Sequence, residues 1–391
     1  MKLRYIVLGL ALLFVGACSK KDPSVPGSGN SGQTTNTTPV SVDESIFTDP
    51  GLISTKSSST IIMDSLVKYL SYTPKGAVVY INVFLFSYPP VVSAVKAAYV
   101  RGVQMKVIID SSRDDSRSEN DATIKLLEST FQSPSEILTT DNEIDATWAI
   151  NHSKYVLFSE VDLPRGIAKN VVFATSHNFT LGQTKMIQDA VVMTNKALYD
   201  AFVDNWEQLA TYAKDMQDYQ YTVKDAGDSI TAFFFPRRKD GKWDGGDTIL
   251  DQLAELSDYS KDTVRVFMAS TWSGARGVNI AKALTDLEKK GARVEVITMS
   301  DIDASVITQL NVLSGAGGYV KIMDVNKEVD HSKVMLIKGV WDGSMQRIVL
   351  MGSENYGEGA LKYNNNFLLR LRNSSLFASY WNYYEKLKIT L

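Results

Sequence analysis

The tripeptide His-Ser-Lys occurs twice in this chain of 391 residues, once beginning at His152 and once at His331. The chain contains only three histidines, so two of the three stand in identical tripeptides. Successive side chains of an extended strand point to opposite faces, so residues two apart share a face. We therefore expect the imidazole of His152 to project with the ammonium of Lys154, and that of His331 with the ammonium of Lys333.

An asparagine follows each tripeptide, in a turn of small residues that ends a second apolar stretch. The first turn contains Ser176 and Asn178, and the second contains Ser353 and Asn355. The spacing fits a strand, a turn and an adjacent strand that ends in a loop. Two such half-sites facing each other would place two imidazoles around one anion. These imidazole, ammonium and amide groups suit phosphoryl chemistry. One imidazole would attack phosphorus, the other would protonate the leaving oxygen, and the lysines and asparagines would hold the non-bridging oxygens.

These motifs resemble those of the phospholipase D superfamily, in which His-x-Lys is followed by Gly-Ser-x-Asn and both motifs occur twice per active unit. The second turn matches this pattern well, whereas the first has Thr175 in place of the Gly. Many members also carry an Asp five residues after the Lys, where this chain has Ser159 and Lys338. The resemblance implies one shared site with the catalytic residues His152, Lys154, Asn178, His331, Lys333 and Asn355, supported by Ser176 and Ser353.

Two further positions are interpreted through the resemblance. In the resembled family a Glu beyond the asparagine often orients a histidine. Asp189 and Asn366 each lie eleven residues beyond a turn asparagine, so we expect Asp189 to orient an imidazole and Asn366 to be a weakened equivalent. The third histidine, His177, either lines the cleft or bonds to a nearby carbonyl, and the structural interpretation is favoured.

The predicted elements repeat in the same order along the chain. Apolar periodicity predicts a helix, a strand, a helix and a strand in each half. The spans are 61–70, 78–86, 91–101 and 103–109 in the first half, and 249–256, 264–269, 278–290 and 292–298 in the second. This order indicates an α/β fold of two similar α/β/α sandwich lobes, each with a mostly parallel sheet, packed about a pseudo-twofold axis. The predicted lobes are residues 51–220 and 221–391.

The N-terminus carries the signals of export. Residues 1–17 combine a basic start with a short apolar run, which predicts a signal peptide. Cys18, the only cysteine, resembles the lipid-attachment residue of a bacterial lipobox. Residues 18–50 are rich in Ser, Gly, Thr and Asn and predict a flexible tether, with folded structure from about Leu52. We expect a monomeric lipoprotein of the cell envelope, on the periplasmic side or the cell surface, with the outer membrane favoured.

The overall charge limits the choice of partner. A net charge of −3 and a pI near 5.8 give no general attraction to nucleic acid or to anionic membranes. A single cysteine excludes an internal disulfide and a Cys-based zinc site. We predict no metal and no cofactor, because the two lysines supply the positive charge that a metal would bring.

Three functions remain open at this stage. The favoured one is hydrolysis or transfer at the phosphodiester of a phospholipid, through a phosphohistidine, because the expected anchor holds the cleft near a membrane. The alternative is a metal-independent nuclease of the same superfamily, although the chain lacks a basic, aromatic-interleaved face. The third is a binding lipoprotein that has lost catalysis, suggested by Thr175 and by the absent Asp residues.

Overall fold

A computed structural model of the chain describes residues 38–141, 149–213, 218–227, 229–269, 271–327 and 329–391. The predicted signal peptide, Cys18 and most of the predicted tether lie outside the described residues. Folded structure begins earlier than expected, because the last part of the predicted tether, Asp43–Phe47, forms a strand. This strand pairs with Asp189–Thr194 and so closes one edge of a sheet. No helix in the described part of the chain has the length and apolar character needed to cross a bilayer.

The first half of the described chain combines seven strands with five helices. The strands are β1 (Asp43–Phe47), β2 (Val78–Val83), β3 (Gln104–Asp110), β4 (Glu136–Thr140), β5 (Lys154–Leu163), β6 (Gly166–Thr175) and β7 (Asp189–Thr194). The helices are α1 (Pro50–Ser54), α2 (Ile61–Ser71), α3 (Pro89–Val100), α4 (Asp114–Thr130) and α5 (Lys196–Thr211), with a 3-10 turn at Gly182–Lys185. Within the described ranges the strands form one sheet in the order β1-β7-β6-β5-β2-β3-β4.

The second half repeats this arrangement. Its strands are β8 (Thr222–Asp225), β9 (Ile230–Phe234), β10 (Arg238–Lys239), β11 (Lys242–Trp243), β12 (Thr263–Met268), β13 (Arg293–Met299), β14 (Tyr319–Met323), β15 (Lys333–Trp341), β16 (Ser344–Gly352) and β17 (Phe367–Leu371). Its helices are α6 (Thr248–Ala254), α7 (Gly274–Lys289), α8 (Ala304–Gly315), α9 (Glu358–Lys362) and α10 (Ser374–Thr390). The large sheet has the order β14-β13-β12-β15-β16-β17-β9-β8, and β10 pairs with β11.

The two large sheets share one strand order, because β7-β6-β5-β2-β3-β4 of the first half corresponds to β17-β16-β15-β12-β13-β14 of the second. In each half the His-Ser-Lys strand, β5 or β15, lies at the centre between an antiparallel partner from the same hairpin and the first strand of the parallel set. This confirms the predicted α/β fold of two similar lobes. Each motif lysine is the first residue of its central strand, which places the preceding histidine at the strand end.

The prediction of mostly parallel sheets was wrong. Only β2-β3-β4 and β12-β13-β14 pair in parallel, and the other neighbours within the two large sheets are antiparallel. For the β5-β6 and β15-β16 pairs the reason is the connection, because a strand that follows its neighbour through a tight turn must return antiparallel. Between β15 and β16 this turn is Asp342-Gly343, and both residues have positive φ, as the common two-residue hairpin turn requires.

The two halves share one hydrophobic core at their interface. The Phe202 ring of the first half lies 5.5 Å from the Phe367 ring of the second, and Phe367 also lies 6.1 Å from Tyr155. Residues 155–158 of β5 and 334–337 of β15 are fully buried. A near-continuous apolar run is what a strand covered on both faces requires. The interface therefore holds the ends of β5 and β15 in fixed positions beside each other.

Candidate active site

The two motif histidines face each other across the interface between the halves. The ring centroids of His152 and His331 are 6.4 Å apart, with the rings tilted by 62°. Lys154 and Lys333, the first residues of β5 and β15, each donate a hydrogen bond from Nζ to the carbonyl of the motif histidine that precedes them. The structure thus brings both predicted tripeptides into one site.

Each imidazole is held by the turn of the opposite half. His152 Nδ1 lies 3.0 Å from the Ser353 carbonyl oxygen, and His331 Nδ1 lies 3.1 Å from the Ser176 carbonyl oxygen. A carbonyl oxygen only accepts, so Nδ1 carries the proton in both rings. The lone pair of each neutral imidazole is therefore on Nε2, where it is available to a substrate.

Backbone hydrogen bonds also join each motif histidine to the opposite half. The His152 amide donates to the Asn365 carbonyl at 2.8 Å, and the His331 amide donates to the Ile187 carbonyl at 2.9 Å. The two contacts are equivalent under exchange of the halves, as expected for a pseudo-twofold arrangement. Neither histidine is oriented by its own half alone, so the site exists only where the two halves meet.

A side-chain amide completes the contact at each Nδ1. Asn366 Oδ1 lies 3.0 Å from His152 Nδ1, so Asn366 is at the position expected of an orienting residue. Its Nδ2 donates to the Ala360 carbonyl at 3.1 Å, which turns the oxygen toward the imidazole. The turn serine Ser353 donates from Oγ to the same amide oxygen at 3.1 Å. A neutral amide therefore occupies the place where the resembled family often has a carboxylate.

In the first half the orienting residue is Gln188 and not the predicted Asp189. Gln188 Oε1 lies 3.3 Å from His331 Nδ1 and accepts from Ser176 Oγ at 2.8 Å. The Asp189 carboxylate instead accepts from the Tyr380 hydroxyl at 2.8 Å. The loop before β7 is one residue shorter than the loop before β17, as their pairing with β6 and β16 shows. The orienting residue of the first half therefore lies ten residues beyond Asn178, whereas that of the second half lies eleven residues beyond Asn355.

Burial controls the charge of the lysines. Lys154 is 0% exposed and Lys333 is 2% exposed. Burial lowers the pKa of Lys154 well below its usual value, and it lowers the pKa of Lys333 to about 7, although Asp330 and Asp189 oppose the shift. An ammonium out of water needs an anion beside it. A phosphoryl group between the two lysines would supply that anion and raise both pKa values.

Burial and the lysine charges also lower the pKa values of the two motif imidazoles. Burial, followed by the positive charges of Lys154 and Lys333, lowers the pKa of His152 well below 6.5, and the pKa of His331 falls for the same reasons. Both rings are therefore neutral near pH 7 in the free protein. A bound phosphoryl anion would offset the lysine charges and make it easier for one imidazole to carry a second proton.

The turn asparagines are available to a ligand. Within the described part of the chain, Oδ1 of Asn178 and Oδ1 of Asn355 are buried and have no hydrogen-bond partner. An unpaired amide oxygen carries a desolvation cost that only a donor can relieve. The non-bridging oxygens of a phosphodiester are acceptors, so they would bind the Nδ2 groups of these side chains and not the oxygens.

The departures from the family pattern have local explanations. The Thr175 hydroxyl donates to the Asp189 carbonyl at 2.7 Å and accepts from the His177 amide at 3.0 Å. At the equivalent Gly352 a Cβ would lie 2.2 Å from the Phe367 carbonyl oxygen, so only glycine fits there. Ser159 accepts from the Val78 amide at 2.9 Å, which ties β5 to β2. These hydrogen bonds of Thr175 and Ser159 join backbone groups and do not involve an imidazole.

His177 is a structural residue of the first turn, as favoured from the sequence. Its Nδ1 donates to the carbonyl of the adjacent Asn178. Burial lowers the pKa of His177 to about 4, so the ring is neutral at physiological pH. Its Nε2 is buried without a partner among the described residues.

Sequence analysis missed three residues of the site: Phe84, Gln188 and Arg276. The Phe84 ring lies 5.4 Å from the His152 ring and 5.4 Å from Lys154 Nζ. A signal for Phe84 did exist, because it follows β2 at the edge where strand ends meet and ligands commonly bind. Arg276 bonds the carbonyl of Asn355 from helix α7, and no spacing rule connects these two positions.

The described residues also bear on metal binding. No group of three or more His, Cys, Asp or Glu side chains within them is placed to hold a metal ion. The absence of a metal requirement remains a prediction, which chelation tests.

Comparison with known proteins agrees with the duplicated architecture. Residues 76–212 and 253–388 each match the family model described as "Cardiolipin synthase, PLD-like domain". Among solved structures, phosphatidylserine synthase from Haemophilus influenzae Rd KW20 is similar with a TM-score of 0.58 and 11% identity, over 85% of each chain. Polyphosphate kinase from Porphyromonas gingivalis is similar with a TM-score of 0.56 and 11% identity, over 88% of this chain. This chain spans only 50% of that kinase. No curated protein matched the sequence.

Proposed function

The chain belongs to the phospholipase D superfamily, and on that premise we propose that it is a phosphodiesterase acting through a phosphohistidine. The observation that carries the proposal is the pair His152 and His331. Their rings are 6.4 Å apart, and each Nδ1 is held by a carbonyl of the opposite half. Both Nε2 atoms are therefore free to act on one phosphorus atom between them.

In the first step Nε2 of one histidine attacks phosphorus and forms a P–N bond. The P–O bond to the leaving alcohol breaks, and the other histidine donates its Nε2 proton to that oxygen. Lys154, Lys333 and the two turn asparagines bind the non-bridging oxygens, on which negative charge accumulates in the transition state.

In the second step the phosphohistidine is released. The histidine that gave up its proton now accepts one from water, and the resulting hydroxide attacks phosphorus as the P–N bond breaks. A second alcohol in place of water would give transfer and not hydrolysis. The same two imidazoles act in both steps, so the cycle returns each of them to its starting protonation state.

For the substrate we propose a phospholipid. Support comes from the expected lipid anchor at Cys18, which would keep the site next to a membrane, and from the absence of a net positive charge that would attract nucleic acid. The similarity to phosphatidylserine synthase concerns the fold alone. A nuclease activity is the alternative, and the complete set of six catalytic residues supports an active enzyme over a binding lipoprotein.

We expect the detergent-solubilised full chain to release the head-group alcohol from phosphatidylcholine or phosphatidylethanolamine, with an undiminished rate in excess EDTA. The lysines and asparagines supply the electrostatic stabilisation, so chelation should remove nothing that the reaction needs. Plasmid DNA, incubated in parallel, tests the nuclease alternative.

The matched control for this assay is the variant His152→Ala in the same detergent. Loss of activity in EDTA, with recovery on adding zinc or calcium, would refute the metal-free mechanism. Cleavage of DNA without lipid turnover would replace the phospholipid by nucleic acid as the substrate.

We also propose that the protein is a membrane-anchored lipoprotein. Replacing Cys18 with Ser should move the protein from the membrane pellet to the supernatant after cell fractionation. Serine lacks the thiol group through which a lipobox cysteine is attached to lipid. Several acyl chains anchor firmly, each buried methylene contributing about 0.8 kcal/mol. Ser19→Ala is the matched control and should stay in the pellet. An unchanged distribution of the Cys18 variant would rule out lipidation as the anchor.

A further inference from the structure

Arg276, in the first turn of α7, is 4% exposed and uses all of its hydrogen-bond donors. Its Nε and Nη2 donate to the Asp247 carboxylate at 2.8 and 3.2 Å, and Nη2 also donates to Glu354 at 2.6 Å. Its Nη1 donates to the carbonyls of Asn355 and Gly357 at 2.8 and 3.1 Å. Five N–H donors therefore meet five acceptors, which is the full capacity of a guanidinium.

Three of these acceptors belong to the turn that carries the catalytic amide. Arg276 fixes the Glu354 side chain and the carbonyls of Asn355 and Gly357, while the Asn355 side-chain oxygen is left without a partner in the described chain. The residue before this segment, Ser353, provides the carbonyl that holds His152. A shift of the turn would therefore displace the amide and the imidazole together.

In the first half, a different residue fixes the turn. His177 occupies the position equivalent to Glu354, and its Nδ1 donates to the carbonyl of Asn178. In both halves the carbonyl of the catalytic asparagine thus accepts a side-chain hydrogen bond. The donor is a neutral ring within the turn in the first half, whereas it is a cation from a separate helix in the second.

Stability gives little reason for a buried charge cluster at this place. Removing Arg276, Glu354 and Asp247 from water costs free energy that their attraction only partly returns, and apolar replacements of buried ion pairs are often neutral or stabilising. The planar fork of arginine does, however, fix several acceptors in one geometry. The contacts are best explained by the geometry that they impose on residues 353–357.

We infer that Arg276 is a positioning residue, which sets Asn355 and, through Ser353, His152 against the same phosphoryl group. The catalytic consequence rests on the proposed function, whereas the structural consequence does not. Among the described residues, Arg276 positions the turn of the second half and His177 positions that of the first.

The kinetic test uses Arg276→Met and Arg276→Lys with bis(p-nitrophenyl) phosphate as the probe. We expect Arg276→Met to lower kcat by about 10- to 100-fold with KM changed less than about threefold, since misplacing one donor costs less than deleting it. Arg276→Lys keeps the charge without the fork and should restore only part of the rate. In an Asn355→Ala background, Arg276→Met should lower kcat by a smaller factor than in the wild type, because the part of its effect that acts through the Asn355 amide is already lost and only the part through His152 remains.

The matched control is Arg265→Met. Arg265 is a second buried arginine of the same half, and its ion pairs go to Glu295 and Glu385 and not to the turn of residues 353–357. Its loss should leave kcat within about twofold. If Arg276→Met and Asn355→Ala multiply fully in the double variant, Arg276 supports the fold only and the inference fails.

A second readout does not depend on activity. With only three histidines, a ¹⁵N-histidine-labelled sample gives three imidazoles, which single histidine variants assign. Arg276→Met should shift or broaden the His152 resonances and leave those of His331 in place, whereas Arg265→Met should leave both unchanged. Unchanged His152 resonances would overturn the inference even if the protein turned over no phosphodiester. Failure of the positioning role can therefore be distinguished from failure of the proposed phosphodiesterase function. If Arg276→Met does not fold, Arg276→Lys and Glu354→Gln provide the same comparison.

Discussion

Replacing either His152 or His331 with alanine should remove nearly all turnover, a loss of at least about 10⁴-fold in kcat. With an alcohol as the leaving group, one imidazole forms the P–N bond and the other moves the proton, so both steps need both rings. Residues that act as a unit are strongly non-additive. The double variant should therefore be little slower than either single variant.

The leaving group separates the two roles. A p-nitrophenolate departs without a proton, so with bis(p-nitrophenyl) phosphate the variant that lacks the acid should still release one equivalent of p-nitrophenol per enzyme. The same variant should then accumulate the phosphohistidine, because its second step also lacks the base. The variant that lacks the nucleophile should show neither the burst nor the phosphoenzyme. A rapid-quench measurement of both products assigns the roles of His152 and His331.

His177→Gln is the matched control, since it changes the third histidine of the chain. We expect a loss no larger than the about 10- to 100-fold expected for Arg276→Met, because His177 positions the Asn178 carbonyl and does not act on phosphorus. If His152→Ala and His331→Ala each kept about half of the wild-type rate, the two tripeptides would be independent sites and the shared mechanism would be wrong.

Replacing Lys333 with methionine should lower kcat by about 10² to 10³, the usual loss for one group that stabilises charge in the transition state. Lys154→Met should have a similar effect. Methionine fills nearly the same space without a charge to bury, so the melting temperature should not fall. A loss of rate at unchanged stability therefore reports on electrostatics.

The same variants should move the pH profile upward. After burial, the positive charges of Lys154 and Lys333 are the next causes that hold the pKa values of both imidazoles below 6.5. Removing one charge raises these pKa values. The nucleophile must be neutral and the acid protonated, so both limbs of the kcat/KM profile should shift to higher pH.

Histidine resonances followed through a pH titration should show the same direction of change. Lys169→Met is the matched control, because this lysine is exposed and pairs with Glu160 on the surface. Its profile should superpose on that of the wild type. A downward or absent shift in Lys333→Met would mean that the lysines do not set the charge of the imidazoles.

The sequence alone was sufficient to single out the six residues for which we propose a catalytic role. Alternation along a strand is a local property, so the common face of His152 and Lys154 followed from their spacing alone. The repeated order of helices and strands followed from hydrophobic periodicity, which is also local. The structure confirmed the two similar lobes, and it placed the helices and strands predicted before the first tripeptide within a few residues of their expected spans.

Contacts between the halves were decided by the tertiary structure. The carbonyl that holds His152 belongs to Ser353, 201 positions away, and nothing in local sequence fixes such a pairing. The choice of Gln188 over Asp189 depended on a loop shorter by one residue, which only the register of the paired strands reveals. Arg276 reaches the Asn355 turn from another helix. Side-chain type and spacing determine what each half-site can do, whereas the packing of two sheets determines which atoms orient it.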